Sequence, residues 1–79
     1  MSLRMLLMRG DYSLAVERFG EKQVRDEIDH MINNSLASIA ILAADYLGYN
    51  DLAEKAAKVV SLSGCYDDKA KELAKKYHQ

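Results

Sequence analysis

The stretch that decides the fold runs from Ser35 to Gly48, "SLASIAILAADYLG". Set at helical spacing, its apolar residues cover most of the circumference and leave only a narrow polar wedge around Ser38 and Asp45. A helix apolar nearly all round is either central in a bundle or buried in an interface. The alanines at 37, 40, 43 and 44 add so little bulk that another helix can approach closely. Ser35 has the side chain of an N-cap, and Gly48 can take the left-handed conformation that ends a helix.

Toward the N-terminus, residues Glu21 to Asn33 place Val24, Ile28, Met31 and Ile32 at i, i+4, i+7 and i+8, with polar residues at almost every other position. That is a helix with a single buried face. The intervening Asn33, Asn34 and Ser35 make only a moderate break, so the two helices can be read as separate or as one. A further helix is expected from Asp11, as N-cap, to Phe19, with Leu14, Ala15 and Phe19 on one side and Gly20 just past its end. Before it, Leu3, Leu6 and Leu7 have helical spacing but little length. Residues 1–10 are therefore left open between a short helix and a loosely packed or flexible lead-in.

Toward the C-terminus, Asp51 with Glu54 three residues on has the form of a capping box, and Leu52, Ala56, Val59 and Val60 follow as a buried stripe. Gly64 ends that segment. The last helix is expected from Asp67 or Asp68 to about Tyr77, with Ala70, Leu73, Ala74 and Tyr77 inward. The chain has no proline, and glycine occurs only at 10, 20, 48 and 64, between these segments. The expected fold is all-α: a single domain over residues 1–79, a compact bundle of four to five short helices around an apolar central helix. Short loops make neighbouring helices roughly antiparallel.

Seventy-nine residues is near the lower end of what folds without metals or disulfides, which makes self-association or docking on a partner a live expectation. Eleven basic residues against twelve acidic ones give a net charge of −1, which removes the simplest electrostatic case for nucleic acid or an anionic membrane. The lone Cys65 allows neither an intramolecular disulfide nor a zinc cluster within one chain, and a reducing, cytoplasmic setting is expected. The apolar run Met5 to Met8 is too short for the core of a secretion signal. The longest uncharged stretch, Met31 to Ala44, is too short and too polar to span a bilayer.

Chemistry-bearing constellations are few. Glu27 and His30 have the i, i+3 spacing by which di-iron carboxylate helices present two ligands, but that chemistry needs a second such motif and two more glutamates. A solvated helix face explains the pair more simply. Cys65 and His30 lack the orienting third group that nucleophilic catalysis requires. "RGD" at Arg9 to Asp11 resembles the integrin-binding tripeptide, in a context without the signal or disulfides of adhesion proteins. No phosphate loop or Ser-His-Asp set is present. No enzyme activity, metal or cofactor is expected.

Two resemblances bear on the C-terminal half. "YNDLAEKAAK" from Tyr49 and "YDDKAKELAK" from Tyr66 lie 17 residues apart and agree at five of ten positions. Seventeen is half the period of the tetratricopeptide repeat, about 34 residues, and Gly48, Ala53, Ala57 and Val60 resemble the small-residue spacing of its second helix. Two helices with the same capping and an Ala/Lys-rich surface account for the likeness more economically. "AADYLGYNDLAEKAAKVV" resembles the helix-turn-helix of phage-type repressors, with Ala44, Leu47, Gly48, Ala53 and Ala57 at packing and turn positions. The resemblance implies that the helix after Gly48 enters the major groove. Glu54 stands where that family has a buried aliphatic residue, and Asp51 and Glu54 open the would-be reading helix with charges that face phosphates badly. The locally basic element is the last helix, with Lys69, Lys71, Lys75 and Lys76.

The expected function is therefore non-enzymatic: a small interaction module that binds a protein partner as adaptor, inhibitor or regulator, or a second copy of itself as a homodimer. DNA binding through residues 44–60 is the alternative. The partner-binding residues expected are Ile41, Leu42 and Tyr46 around the polar wedge, with the aromatic anchors Tyr49 and Tyr66.

Overall fold

Ser2 starts the first helix: its hydroxyl accepts from the Met5 N–H at 3.2 Å, and its carbonyl accepts from Leu6. Gly10 stops it at φ 89°, where the Gly10 and Asp11 N–H groups bond back to Leu7 and Leu6, the paired closure of a Schellman motif. The computed structural model describes residues 2–63 and 67–77. Among these are six helices and no strand: α1 (Leu3–Arg9), α2 (Tyr12–Phe19), α3 (Glu21–Asn33), α4 (Ala37–Leu47), α5 (Asn50–Ser63) and α6 (Asp68–Tyr77). The helix beyond the expected four to five is α1. It buries Leu6 and Leu7 completely, so the N-terminal segment is core rather than a loose lead-in.

The break between α3 and α4 is another left-handed turn, with Ser35 at φ 68° and the Leu36 and Asn34 N–H groups both reaching back to the Met31 carbonyl, at 3.0 and 3.2 Å. Ser35 thus ends α3 instead of capping α4, whose N-cap position is Leu36. The third left-handed turn is at Gly48, φ 77°, with the Tyr49 N–H on the Ala44 carbonyl at 2.9 Å. Beyond it α5 begins at Asn50, one residue earlier than expected, with the Ala53 N–H on the Tyr49 carbonyl. Asp51 is therefore inside the helix, and its carboxylate goes to Arg25 on α3 instead of closing a capping box. Asp67 does cap α6, accepting from the Lys69 and Ala70 N–H groups at 2.9 and 3.2 Å.

The buried stripes follow the sequence periodicity. Val24, Ile28, Met31 and Ile32 are enclosed on α3; Leu52, Ala53, Ala56, Ala57 and Val60 on α5; Ala70 and Ala74 on α6. Helix α4 touches each of the other five helices. Ala37, Ala40, Ile41, Ala43 and Ala44 are buried, yet Tyr46 is 65% exposed and Leu42, Asp45 and Leu47 are half-buried, so one side of α4 reaches the surface. The radius of gyration is 11.4 Å, against roughly 11.6 Å expected for a compact chain of this length.

Two ion pairs tie α3 to α5. Arg25 meets Asp51, and Asp29 meets Lys55 at 2.5 Å. The earlier residues of the two helices, Arg25 and Asp51, pair with each other, and so do the later ones, Asp29 and Lys55, so α3 and α5 run in the same direction. Arg25 also lies over the Tyr49 ring, 4.8 Å from its centre. Burial works to raise the Asp51 carboxyl, but the Arg25 hydrogen bond, the Leu52 N–H and the Arg25 charge outweigh it and hold the group below its ordinary range.

Candidate functional site

Three helices converge on a surface cleft. Helix α4 contributes Leu42, Asp45 and Tyr46, which share one face at i, i+3 and i+4; α6 contributes Lys69 and Leu73, one turn apart; α2 contributes Tyr12. The cleft encloses about 110 Å³. That is well below the roughly 300–1,000 Å³ of sites that hold metabolites and cofactors. Its size suits one side chain.

Its wall is aromatic. The Tyr12 and Tyr46 rings lie 5.1 Å apart, tilted by 48°, in the range of favourable ring pairs. Tyr12 is half-buried, and burial raises its phenol above the ordinary value. Tyr46, the outer ring, leaves most of its surface in water. Leu42 and Leu73 supply the aliphatic lining, and both pack against the core from half-buried positions.

The polar edge has one committed group. Asp45 accepts from the Tyr77 hydroxyl at 2.5 Å and from the Lys76 ammonium at 3.4 Å, so this carboxylate fastens the end of α6 to α4. The Tyr77 hydrogen bond to Asp45 raises the Tyr77 phenol, with burial second, and the separate Lys76 hydrogen bond to Asp45, together with the Asp45 charge, raises the Lys76 ammonium. On the opposite edge Lys69 is exposed and has no ion pair among the described residues.

Of the residues expected to bind a partner, Leu42 and Tyr46 line this cleft. Ile41 is fully enclosed in the core and Tyr49 is buried under Arg25, so neither presents a surface; Tyr66 lies outside the described residues. Tyr12, Lys69 and Leu73 also belong to the cleft; none is among the residues expected to bind a partner, although periodicity puts Leu73 on the inward stripe of the last helix and Lys69 is one of its lysines. Leu73 carried a weak signal as the bulkiest aliphatic of the α6 stripe, but Tyr12 carried none, because it is the first residue of its helix.

The other candidate groups are placed elsewhere. Glu27 pairs with Arg4 of α1 at 3.4 Å, and His30 is exposed with Asn34 against its carbonyl oxygen and ring. No cluster of three His, Cys, Asp or Glu side chains suited to a metal occurs among the described residues. Cys65 lies outside them. Asp11 occupies the N-cap position of α2 without a side-chain cap bond, and its carboxylate faces Arg9 at 3.5 Å. In the segment that resembles a helix-turn-helix, Ala44, Ala53 and Ala57 are buried, while Glu54 is exposed. Its Asp51 and Lys55 are both engaged with α3. No described helix is long and apolar enough to cross a membrane.

No family model matches the chain, and no curated protein or solved structure shows significant similarity to it.

Proposed function

We propose that this chain is a non-enzymatic interaction module that binds a protein partner as an adaptor, inhibitor or regulator, with α4 as the central helix and the cleft between α2, α4 and α6 as its docking surface. One observation carries this: an aromatic residue on that helix, Tyr46, stands 65% exposed over a cleft of side-chain size that Leu42 and Leu73 help to line. Exposed tyrosine beside a pocket is a frequent energetic anchor of protein interfaces, because a rigid ring buries much area for little lost entropy. A cytoplasmic setting accompanies the proposal as the simplest context for an adaptor of this size, and a second copy of the chain is the rival occupant of the same surface.

The test is affinity capture from a native lysate with the full chain and with Tyr46→Asp and Leu42→Asp side by side, each shown to keep its helical signal. Partners held by the wild type and lost by both variants support the proposal. Identical capture by all three proteins would remove the cleft from it. DNA binding is the second reading, favoured by the left-handed turn at Gly48 between helices packed through Ala44, Ala53 and Ala57. Against it, the face of α5 carrying Asp51 and Lys55 is committed to α3. Affinity for duplex DNA that falls steeply with salt would establish that second reading in place of the first.

A further inference from the structure

The edge of the cleft between α2, α4 and α6 is unequal in charge, and that inequality selects a kind of partner. Two charged residues line it. Asp45 is already satisfied by Tyr77 and Lys76, whereas Lys69 makes no ion pair among the described residues, not even with Glu72 one turn along α6. Lys76, beside Asp45, keeps 63% of its side chain in water and so remains open to a second carboxylate. Over its whole length α6 carries four lysines, at 69, 71, 75 and 76, against Asp68 and Glu72. An incoming group therefore meets a hollow of mixed lining, with Leu42, Leu73 and two tyrosine rings as its apolar part, the Lys69 ammonium on its edge and the Lys76 ammonium next to Asp45 and over the Tyr77 ring. A hollow of about 110 Å³ is smaller than the cavity of about 150 Å³ that holds a benzene ring, which suits one aliphatic side chain.

A second copy of this chain is a poor match for that hollow. Among the described residues, its most exposed apolar side chains outside the cleft are Met5, Met8 and Leu62, at 53%, 52% and 89%. Met5 and Met8 come with Arg4 and Arg9, the acid nearest to them in the sequence, Asp11, already faces Arg9 at 3.5 Å, and Leu62 has no Asp or Glu within four positions, so the surroundings of these side chains are basic or neutral rather than acidic. A two-fold arrangement with cleft against cleft would set Lys69 and Lys76 against their own copies.

We propose that the cleft seats one aliphatic side chain of an acidic segment in another protein, with Lys69 and Lys76 meeting carboxylates placed within a turn of that anchor. The inference rests on the docking role given to the cleft above, and adds the chemistry of what docks. Charge complementarity of this kind sets selectivity and on-rate, while the buried anchor supplies most of the affinity.

The experiment is selection of short displayed peptides from a random library on the full chain, followed by mapping of backbone amide shifts. Enriched peptides carry Leu, Ile or Met with Asp or Glu within four positions, and they move the amides of Leu42, Tyr46 and Leu73. Lys69→Glu, an exposed change that leaves the urea midpoint in place, weakens such a peptide about tenfold. Replacing the acids of the peptide by lysine recovers binding to that variant. Peptides that map to the cleft with no acidic bias, or that bind Lys69→Glu unchanged, overturn the acidic partner and leave the docking site standing. A dimer abolished by Tyr46→Ala does the same, making a second copy the occupant. If no peptide moves the cleft amides and the chain stays monomeric, the docking site and the partner class fall together.

Discussion

Among single residues, the most informative are those at left-handed turns. Gly10, Ser35 and Gly48 each end a helix at positive φ, and Ser35 does so with a side chain that disfavours the conformation. An L-residue held there costs roughly 1–2 kcal/mol, part of which glycine returns to the unfolded chain through its greater freedom. Ser35→Gly is therefore expected to stabilise the protein by about 0.5–1 kcal/mol, read as a higher urea midpoint at unchanged slope. A lower midpoint would mean that the Ser35 hydroxyl contributes more than its backbone costs. Gly20 is the opposite case. It joins α2 to α3 by itself at φ 85°, ψ 153°, a region open almost only to glycine, and an added Cβ would meet nothing within 4 Å. Gly20→Ala should then lose about 1–3 kcal/mol through backbone strain alone, with no rescue from trimming a neighbouring side chain. Periodicity and glycine position made most of these ends legible in the sequence. Ser35 was not, because a serine before a helix reads as an N-cap, and its use as the end of the preceding helix depends on backbone geometry that composition does not encode.

At the scale of elements, α1 carries more than its seven residues suggest. Leu6 and Leu7 are as deeply enclosed as Ile28 or Ile41, and α1 packs on α2, α3 and α4. Leu7→Ala should cost about 2–5 kcal/mol, the range for emptying a buried leucine site, measured by equilibrium unfolding. A loss below about 0.5 kcal/mol, the scale of surface changes, would show that α1 is dispensable. The helices with long, regular stripes, α3 and α5, could be read from sequence because one buried face repeats over several turns. Helix α1 offers only two turns of pattern, and its reality depends on receiving partners from elsewhere. The pairing of α3 with α5 was likewise illegible, since Arg25, Asp29, Asp51 and Lys55 look like ordinary solvated charges until the two helices are set side by side in the same direction. Exposed pairs of this kind contribute little to stability, and their main effect is on register. Reversing Asp29 to Lys should lower the midpoint slightly, and adding Lys55→Asp should bring it back. If the double variant is no better than the single one, the contact is incidental.

For the whole molecule, the same contacts that form the candidate site also determine how the fold responds to pH. Helix α6 is held by two small buried residues, Ala70 and Ala74, by half-buried Leu73 and Tyr77, and by the Asp45 bonds to Tyr77 and Lys76. It is also one wall of the cleft. The convergence of Tyr12, Leu42, Asp45, Tyr46, Lys69 and Leu73 draws on three helices far apart in the chain, so only the α4 part of it could be anticipated. The tyrosines at 12, 49 and 77 all have phenols raised above their ordinary value of 10.0. Burial is the leading cause for Tyr12 and Tyr49, and the Asp45 hydrogen bond for Tyr77. Above that ordinary value the unfolded chain gives up these protons before the folded one does. The unfolded state then binds fewer protons, and stability falls as pH rises. Lys76, raised by the same Asp45 contact, adds to the fall with the same sign. Stability should thus be insensitive to these groups from neutrality to about pH 9, and decline as pH passes through the raised values. Ionising Tyr77 beside Asp45 also turns a hydrogen bond into a repulsion, so the docking of α6 on α4 should be the first contact to loosen. Urea midpoints followed across the alkaline range, together with phenolate absorbance, measure this directly. Tyr77→Phe should start from a lower midpoint and show a shallower alkaline decline, because its share of the proton linkage is gone. An unchanged slope in that variant would place the alkaline sensitivity in Tyr12 and Tyr49 and remove Asp45 as the fastening of the C-terminal helix.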